Sequence, residues 1–258
     1  MPMLSVPGEE VDGMAFYRSL IRERAVPRQI MVNSAGLRFT DEASPYNEVG
    51  KAMHERDTNG GYPNDPAYMI FDDGFLRRYP LPGIGDSVPG WVACGGSPRE
   101  LAAGIGVDPD GLEPTIDRWN DACAKGHDPD FGRGGNPYDR YGGDPQAHPG
   151  PNFGPLDESP YYAVRVLAGT IGTKGGPVTD ADAVVLKGTP GPAAGSAAGS
   201  AAGSWDEPVP GLYAVGNAAA FWTGDAYPAP GATLAIGMTM GYVTGRHAAK
   251  RSGASRES

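Results

Sequence analysis

Cysteine is nearly missing from this chain. Cys94 and Cys123 are the only two in 258 residues, they show no metal-type spacing, and they point to a reducing compartment. Histidine is as sparse: His54, His127, His148 and His247 are scattered and support neither a metal site nor a histidine-based triad. Positive charge is in deficit, with a formal net charge of -10, which argues against nucleic acid and against an anionic membrane surface as partners. No signal peptide and no membrane-length apolar run is visible. The longest such run, near the C-terminus, is short and is broken by glycine and then by Arg246 and His247. No stable membrane insertion is expected, and a cytoplasmic location is. The G-x-G-x-x-G turn of a dinucleotide-binding βαβ unit is also absent. Gly83-Ile-Gly85 and Gly104-Ile-Gly106 both run into no glycine-closed helix, and Gly132-Arg-Gly134 leads to helix-breaking Asn136-Pro137.

What remains is enough to fold. Hydrophobic residues are 40% and charged residues 20%, so disorder throughout is excluded and one large or two small domains can be built. Gly 40 and Pro 26 imply an architecture rich in turns. Met14, Tyr17, Leu20 and Ile21 predict a helix over Val11–Arg24. A hairpin is expected at Gln29–Val32 against Leu37–Phe39, turning at Asn33-Ser34-Ala35-Gly36. Ser44 as N-cap and Pro45 at the first helical position predict a helix to about Arg56, with Tyr46 in its first turn. Ala67–Phe71 reads as a strand, Ser97-Pro98-Arg99-Glu100 as a capping box. Asp108-Pro109 opens a helix with Leu112, Ile116, Trp119 and Cys123 on one face, closed by Gly126. Residues 127–160 form a long proline- and glycine-rich loop. Strands follow at Tyr161–Leu167, Ala183–Leu186 and Leu212–Val215, then a final helix. The three Ala-Ala-Gly-Ser copies over 193–204 have the composition of a flexible loop.

Residues 222–241 carry the most chemistry. Tyr227 supplies a phenolic donor, Pro228 and Pro230 fix φ around Ala229, and Gly231 allows close backbone approach. A helix is predicted from Ala232, and its N-terminus presents unpaired N–H groups and a positive dipole end. A phenol and a glycine N–H converging on one carbonyl oxygen would stabilise an enolate.

The segment resembles the C-terminal active-site motif of the 3-ketosteroid Δ1-dehydrogenases, FAD enzymes among the fumarate-reductase-like flavoproteins. The corresponding stretch there reads Tyr-Pro-Gly-Pro-Gly-Ala-Thr, and Ala229 stands here for the middle glycine. Segments 27–53, 68–79, 130–145, 161–179 and 212–217 resemble the family in the same order. The resemblance implies an α/β (α+β) fold, the C-terminal part of a two-domain flavoprotein without its Rossmann fingerprint. Residues 1–44 would border the two domains, 45–160 would form the catalytic cap, and 161–258 part of the FAD-binding domain. It further implies FAD as cofactor, a steroid-like small molecule as substrate, and 1,2-desaturation of a 3-oxosteroid with hydride transfer to flavin N5. Tyr46 would be the base at C2, with Tyr227 and Gly231 polarising the C3 carbonyl. Gly172, Thr173, Lys174, Gly175, Gly216, Asn217, Ala232, Thr233 and Leu234 would border the flavin.

Other readings stand beside these. The alternative for Tyr46 is packing at the entry of its helix, and for Asn217 a simple turn cap. Phe131, Tyr138 and Tyr141 would line a steroid cleft or pin their own loop. Gly237, Gly241 and Gly245 recur every fourth residue and are read as a packing stripe. The rival functions are a fumarate-reductase-like or 4-ene-forming dehydrogenase, and a split or truncated chain needing a separately encoded Rossmann half.

Overall fold

Asp12 and Gly13 both take positive φ, 53° and 76°, the backbone of a two-residue turn whose twist matches two paired strands. In the computed structural model, which describes residues 1–188, 205–224 and 226–254, this turn joins β1 (Pro2–Val11) to β2 (Met14–Ser19), paired antiparallel. The helix expected over Val11–Arg24 is therefore a strand hairpin. Its apolar residues fall at helical spacing by chance, whereas Asp-Gly requires the turn.

The chain divides into two compact units, Met1–Gly169 and Thr170–Ser258. In the first, β1 and β2 join β3 (Gln29–Asn33), β4 (Ala67–Asp72), β5 (Ala93–Gly95) and β6 (Tyr161–Ala168) in a six-stranded sheet. Strand order is β2-β1-β6-β4-β3, β5 pairs with β6, and every pairing is antiparallel. This is the α+β form of the expected fold class. Period-two alternation sends residues to opposite faces of the sheet. Met31, Met69, Phe71, Tyr162, Val164 and Val166 enter one core, while Ile30, Val32, Ile70 and Ala163 enter the other.

The first core is closed by α1 (Tyr46–Met53), through Val49 and Met53. Its N-cap is Pro45, with no side-chain cap. Ser44, expected in that role, donates its hydroxyl to Asp41 O at 2.7 Å instead. A single turn, α2 (Asp73–Leu76), is capped by Asp72, which accepts from Phe75 N. The second core is closed by α3 (Pro98–Ile105) and α4 (Pro109–Lys125). Ser97 and Asp108 cap them, and Gly106 and Gly126 end them in left-handed conformation. Leu112, Ile116, Trp119 and Cys123 are all buried, as their spacing predicts. The Asn33–Gly36 turn docks on the start of α4, where Asp108 N donates to Ser34 O at 2.9 Å. A Cβ on Gly111 would lie 1.9 Å from Ala35 O, so only glycine fits there. The expected return strand after this turn shrinks to one bridge, Val32 with Arg38. The long 127–160 segment contains α5 (Pro137–Gly142), capped by Asn136.

In the second unit β7 (Val184–Gly188) pairs antiparallel with β8 (Trp205–Tyr213), and α6 runs over Ala232–Ala254. The Ala-Ala-Gly-Ser repeat at 193–204 lies outside the described residues. Among the described residues, no helix is long and apolar enough to cross a membrane and no cluster of His, Cys, Asp or Glu is arranged to hold a metal.

Candidate active site

In the second unit the glycine-rich loop after β6 is pinned to the turn after β8. Gly175 N donates to Asn217 O at 3.1 Å, and Ala220 N donates to Pro177 O at 2.9 Å. A Cβ on Gly176 would sit 2.1 Å from Ala218 O, which presses the two segments together. Lys174 reaches across to donate to Ala226 O at 2.5 Å, with its ammonium 4.4 Å from the centre of the Phe221 ring. That bond fixes the residue immediately before Tyr227, which is half-buried. Sequence distance thus conceals a grouping: residues 174–177, 216–220 and 226–227 form one assembly.

The start of α6 belongs to the same assembly. Gly216 takes positive φ (58°) in a short 3-10 turn, Gly216–Ala218, and a Cβ there would meet Gly237 Cα at 3.2 Å. The turn therefore sits directly on the second turn of α6. Gly237 fulfils the packing role read from the glycine stripe, whereas Gly241 and Gly245 have nothing within 4 Å of an added Cβ. Gly231 also has positive φ (84°), with open space where a Cβ would point. Its carbonyl accepts from Ala235 N at 2.9 Å, the first helical bond. The N–H groups of Ala232, Thr233 and Leu234 lie in the turn where a helix lacks internal acceptors, although Ala232 N finds Ala229 O at 3.2 Å. This is the positive end of a long helix beside a glycine that leaves room for a ligand. Gly172 and Thr173 precede this loop, where Gly172 N and O both bond Thr170 Oγ1.

A cavity of about 710 Å³ lies behind this assembly. Its walls are mainly apolar, among them Trp205, Phe221, Trp222, Ile236 and Met240, and it reaches Gly216.

In the first unit Tyr46 is the first residue of α1 and is half-buried. The turn before it is tightly held. Ala43 N and Ser44 N donate to Asp41 Oδ1 and Asp41 O at 2.8 and 3.2 Å. The Glu42 carboxylate receives Arg38, Arg133 and Met31 N. Arg38 also makes a two-pronged bond to Asp128. The opposite charges of Arg38 and Arg133 hold the Glu42 carboxyl below its ordinary range despite full burial. Asp41 behaves oppositely: burial, then repulsion from Asp139 and Glu42, pushes its pKa up to about 7. No motif signalled this network.

The three loop aromatics take different places. Phe131 lies against the Arg38 guanidinium, 5.2 Å from the ring centre. Tyr138 is half-buried in α5, whereas Tyr141 is 83% exposed.

A family model described as FAD binding domain matches residues 2–234. The 4-oxocyclohexanecarboxylate 2-dehydrogenase of Sinomonas cyclohexanicum is 38% identical over 94% of this chain and 40% of its own length. The 3-oxosteroid 1-dehydrogenase of Mycobacterium tuberculosis is 35% identical over 90% of this chain and 40% of its own length. Among solved structures, the 3-ketosteroid Δ1-dehydrogenase of Sterolibacterium denitrificans, in complex with 1,4-androstadiene-3,17-dione, superposes with a TM-score of 0.78 at 39% identity. It covers 95% of this chain and 42% of that one. The chain thus spans about 40% of the length of these relatives.

Proposed function

The chain belongs to the FAD binding domain family, and from that premise we propose that it carries the carbonyl-polarising and proton-accepting part of a 3-oxosteroid 1-dehydrogenase. The observation that carries this reading is the assembly of the second unit, where Lys174, Asn217, the Tyr227 turn and the N-terminus of α6 are gathered by direct bonds and close backbone contact. The residues present fit the ring end of a flavin. Gly231 and the first turn of α6 offer backbone donors beside open space, the donor set suited to an edge that gains negative charge. Nothing in the sequence supplies the pyrophosphate-binding turn.

FAD, when bound, supplies the acceptor for the hydride leaving C1. The work of this chain is on the ketone and the proton. The Tyr227 hydroxyl and the Gly231 N–H donate to the C3 carbonyl oxygen, which becomes more negative as the C2–H bond breaks. Tyr46 accepts that C2 proton. A phenol ordinarily ionises near pH ~10, so the helix N-terminus that Tyr46 occupies assists it by favouring negative charge. Gly172–Gly175, Gly216, Asn217 and Ala232–Leu234 would border the flavin. By the resemblance, residues 1–44 would border the two domains, 45–160 would belong to the catalytic cap and 161–258 to the FAD-binding domain, and Phe131, Tyr138 and Tyr141 would contribute apolar wall.

A second reading concerns substrate size. The relative from Sinomonas cyclohexanicum bears the name of a small ring ketone, and desaturation beside a ring carbonyl asks the same of Tyr46, Tyr227 and Gly231.

The test is to combine the chain with the dinucleotide-binding portion of a relative and offer 3-oxosteroid and 4-oxocyclohexanecarboxylate in parallel. Flavin reduction with 1,2-ene formation from the steroid supports the reading. Turnover of the small ketone alone replaces the substrate, and failure on both overturns the activity. In the active pair, Tyr227→Phe is expected to lower kcat by roughly 10²–10³, the usual loss for one oxyanion donor. Alone, the chain is expected to hold FAD weakly, because the helix and glycine contacts to pyrophosphate are missing; a stoichiometric flavin band in purified protein would contradict this.

A further inference from the structure

Arg24 is 1% exposed and forms no salt bridge among the described residues. Its guanidinium is spent on backbone. Nε donates to Leu20 O at 3.1 Å, and one terminal nitrogen donates to both Glu42 O and Ser44 O. The last two carbonyls belong to the turn that delivers the chain into α1, and Ser44 stands two residues before Tyr46. An unpaired buried cation is costly, and burial here pulls the arginine below its ordinary pKa. Such a group persists only where its bonds or its charge are needed. A buried apolar side chain would fill the space but leave three carbonyl oxygens without donors.

The ionisable groups around Arg24 come from several elements. Asp41, Glu23 and, once ionised, Tyr138 of α5 favour its charge, Arg133 opposes it, and the half-buried N-terminal ammonium of Met1, packed on Gly50 of α1, is itself lowered in pKa by burial and then by Arg24. Arg24 therefore grips, through Glu42 O and Ser44 O, the turn that carries Tyr46.

We propose that Arg24 is a positioning residue for Tyr46, fixing the entry of the chain into α1 and holding a buried positive charge against the turn that precedes it. This rests on Tyr46 being the base, and the experiment below is read without turnover. Failure of the desaturase reading and failure of this inference are thus separately visible.

The test compares Arg24→Gln, which removes the charge, with Arg24→Lys, which keeps the charge but loses the fork. The ultraviolet phenolate band of Tyr46, isolated by subtracting the titration of Tyr46→Phe, is expected to move to higher pH in Arg24→Gln and to return in Arg24→Lys. Amide hydrogen exchange over residues 43–49 in Arg24→Lys is expected to quicken by about tenfold, with the amides of α4 unchanged. A merely structural arginine would lower the melting temperature of both variants without moving the Tyr46 band, and that result overturns the proposal. If Arg24→Gln does not fold, exchange in Arg24→Lys decides: unchanged rates at 43–49, or equal acceleration throughout the unit, also overturn it.

Discussion

Two helices of this protein carry apolar stripes and have opposite surroundings. In α4, Leu112, Ile116, Trp119 and Cys123 form one stripe and are all buried against the sheet. In α6, Leu234, Met238 and Tyr242 also form one stripe at every fourth residue, and they are 71%, 71% and 67% exposed. Burial of such side chains is what makes a helix stable in a folded protein. The first helix has met that demand within its own unit. The second displays an apolar face of the kind that marks a contact surface. The same contrast holds for the sites: the turn before Tyr46 is locked by buried charge, whereas the start of α6 is open beside Gly231. One unit buries the apolar stripe of its long helix, and the other leaves such a stripe exposed next to the open turn at Gly231. The chain spans about 40% of its relatives' length.

The comparison is broken most directly at Trp119. Its ring stacks on Phe153 with centres 5.8 Å apart, and Arg38 and Arg133 lie 4.7 and 4.8 Å from its own centre. Its indole N–H donates to Gly154 O at 3.0 Å. Trp119→Ala is expected to cost about 3–5 kcal/mol of unfolding free energy, the range for an aromatic removed from a core. Urea unfolding measures it, and a loss under about 1 kcal/mol would mean that the first unit is not the rigid scaffold described.

Much of that scaffold is legible in the sequence because its signals are local. Asp108-Pro109 and Gly126 bracket α4, and the spacing of Leu112 to Cys123 gives the buried face. The N-terminal hairpin was obscured because apolar spacing and turn chemistry disagreed, and Asp12-Gly13 carried the correct signal. Ser44 failed as a cap because its hydroxyl found Asp41 O instead. The site divides likewise. Tyr46 at a helix start and Gly231 before α6 follow from local rules. The pinning of Gly175 to Asn217 and of Lys174 to Ala226 does not, since those bonds join residues 42 and 52 positions apart. Arg24, Arg38 and Arg133 carry no motif, and only the fold brings their partners to them.

A smaller effect sharpens the scaffold side through pH. The folded pKa of Asp41 is raised to about 7 by burial and by the neighbouring Asp139 and Glu42, above its value of ~3.9 in an unfolded chain. The folded state therefore binds the proton more tightly. Its contribution to stability is full below about pH 4 and is lost as pH climbs to about 7. Asp41→Asn keeps a neutral side chain at every pH, so the difference in unfolding free energy between wild type and variant should change across that window and level off above it. Urea midpoints measured from pH 4 to pH 8 on both proteins provide the check. A difference that stays flat would place the Asp41 carboxyl in a wetter setting.

The smallest expected effect lies on α6, and it discriminates best between the two helices. Met238→Ser and Leu234→Ser remove apolar surface that already faces water. Both residues are mostly exposed and have little burial to lose, so each change should alter the stability of the chain by no more than about 0.5 kcal/mol. Leu112→Ala in α4, a substitution that also only trims an apolar side chain, should cost about 2–5 kcal/mol. An α6 variant also tests whether the pairing proposed above uses this face. With the dinucleotide-binding portion of a relative present, Tyr242→Ser should weaken association by more than about 1 kcal/mol, since buried aromatics dominate such contacts. Losses of 2 kcal/mol or more from Met238→Ser in the chain alone would show that α6 is packed as α4 is, and the contrast between the two units would fall. Unchanged association in Tyr242→Ser would leave the contrast standing but remove this face from the proposed pairing.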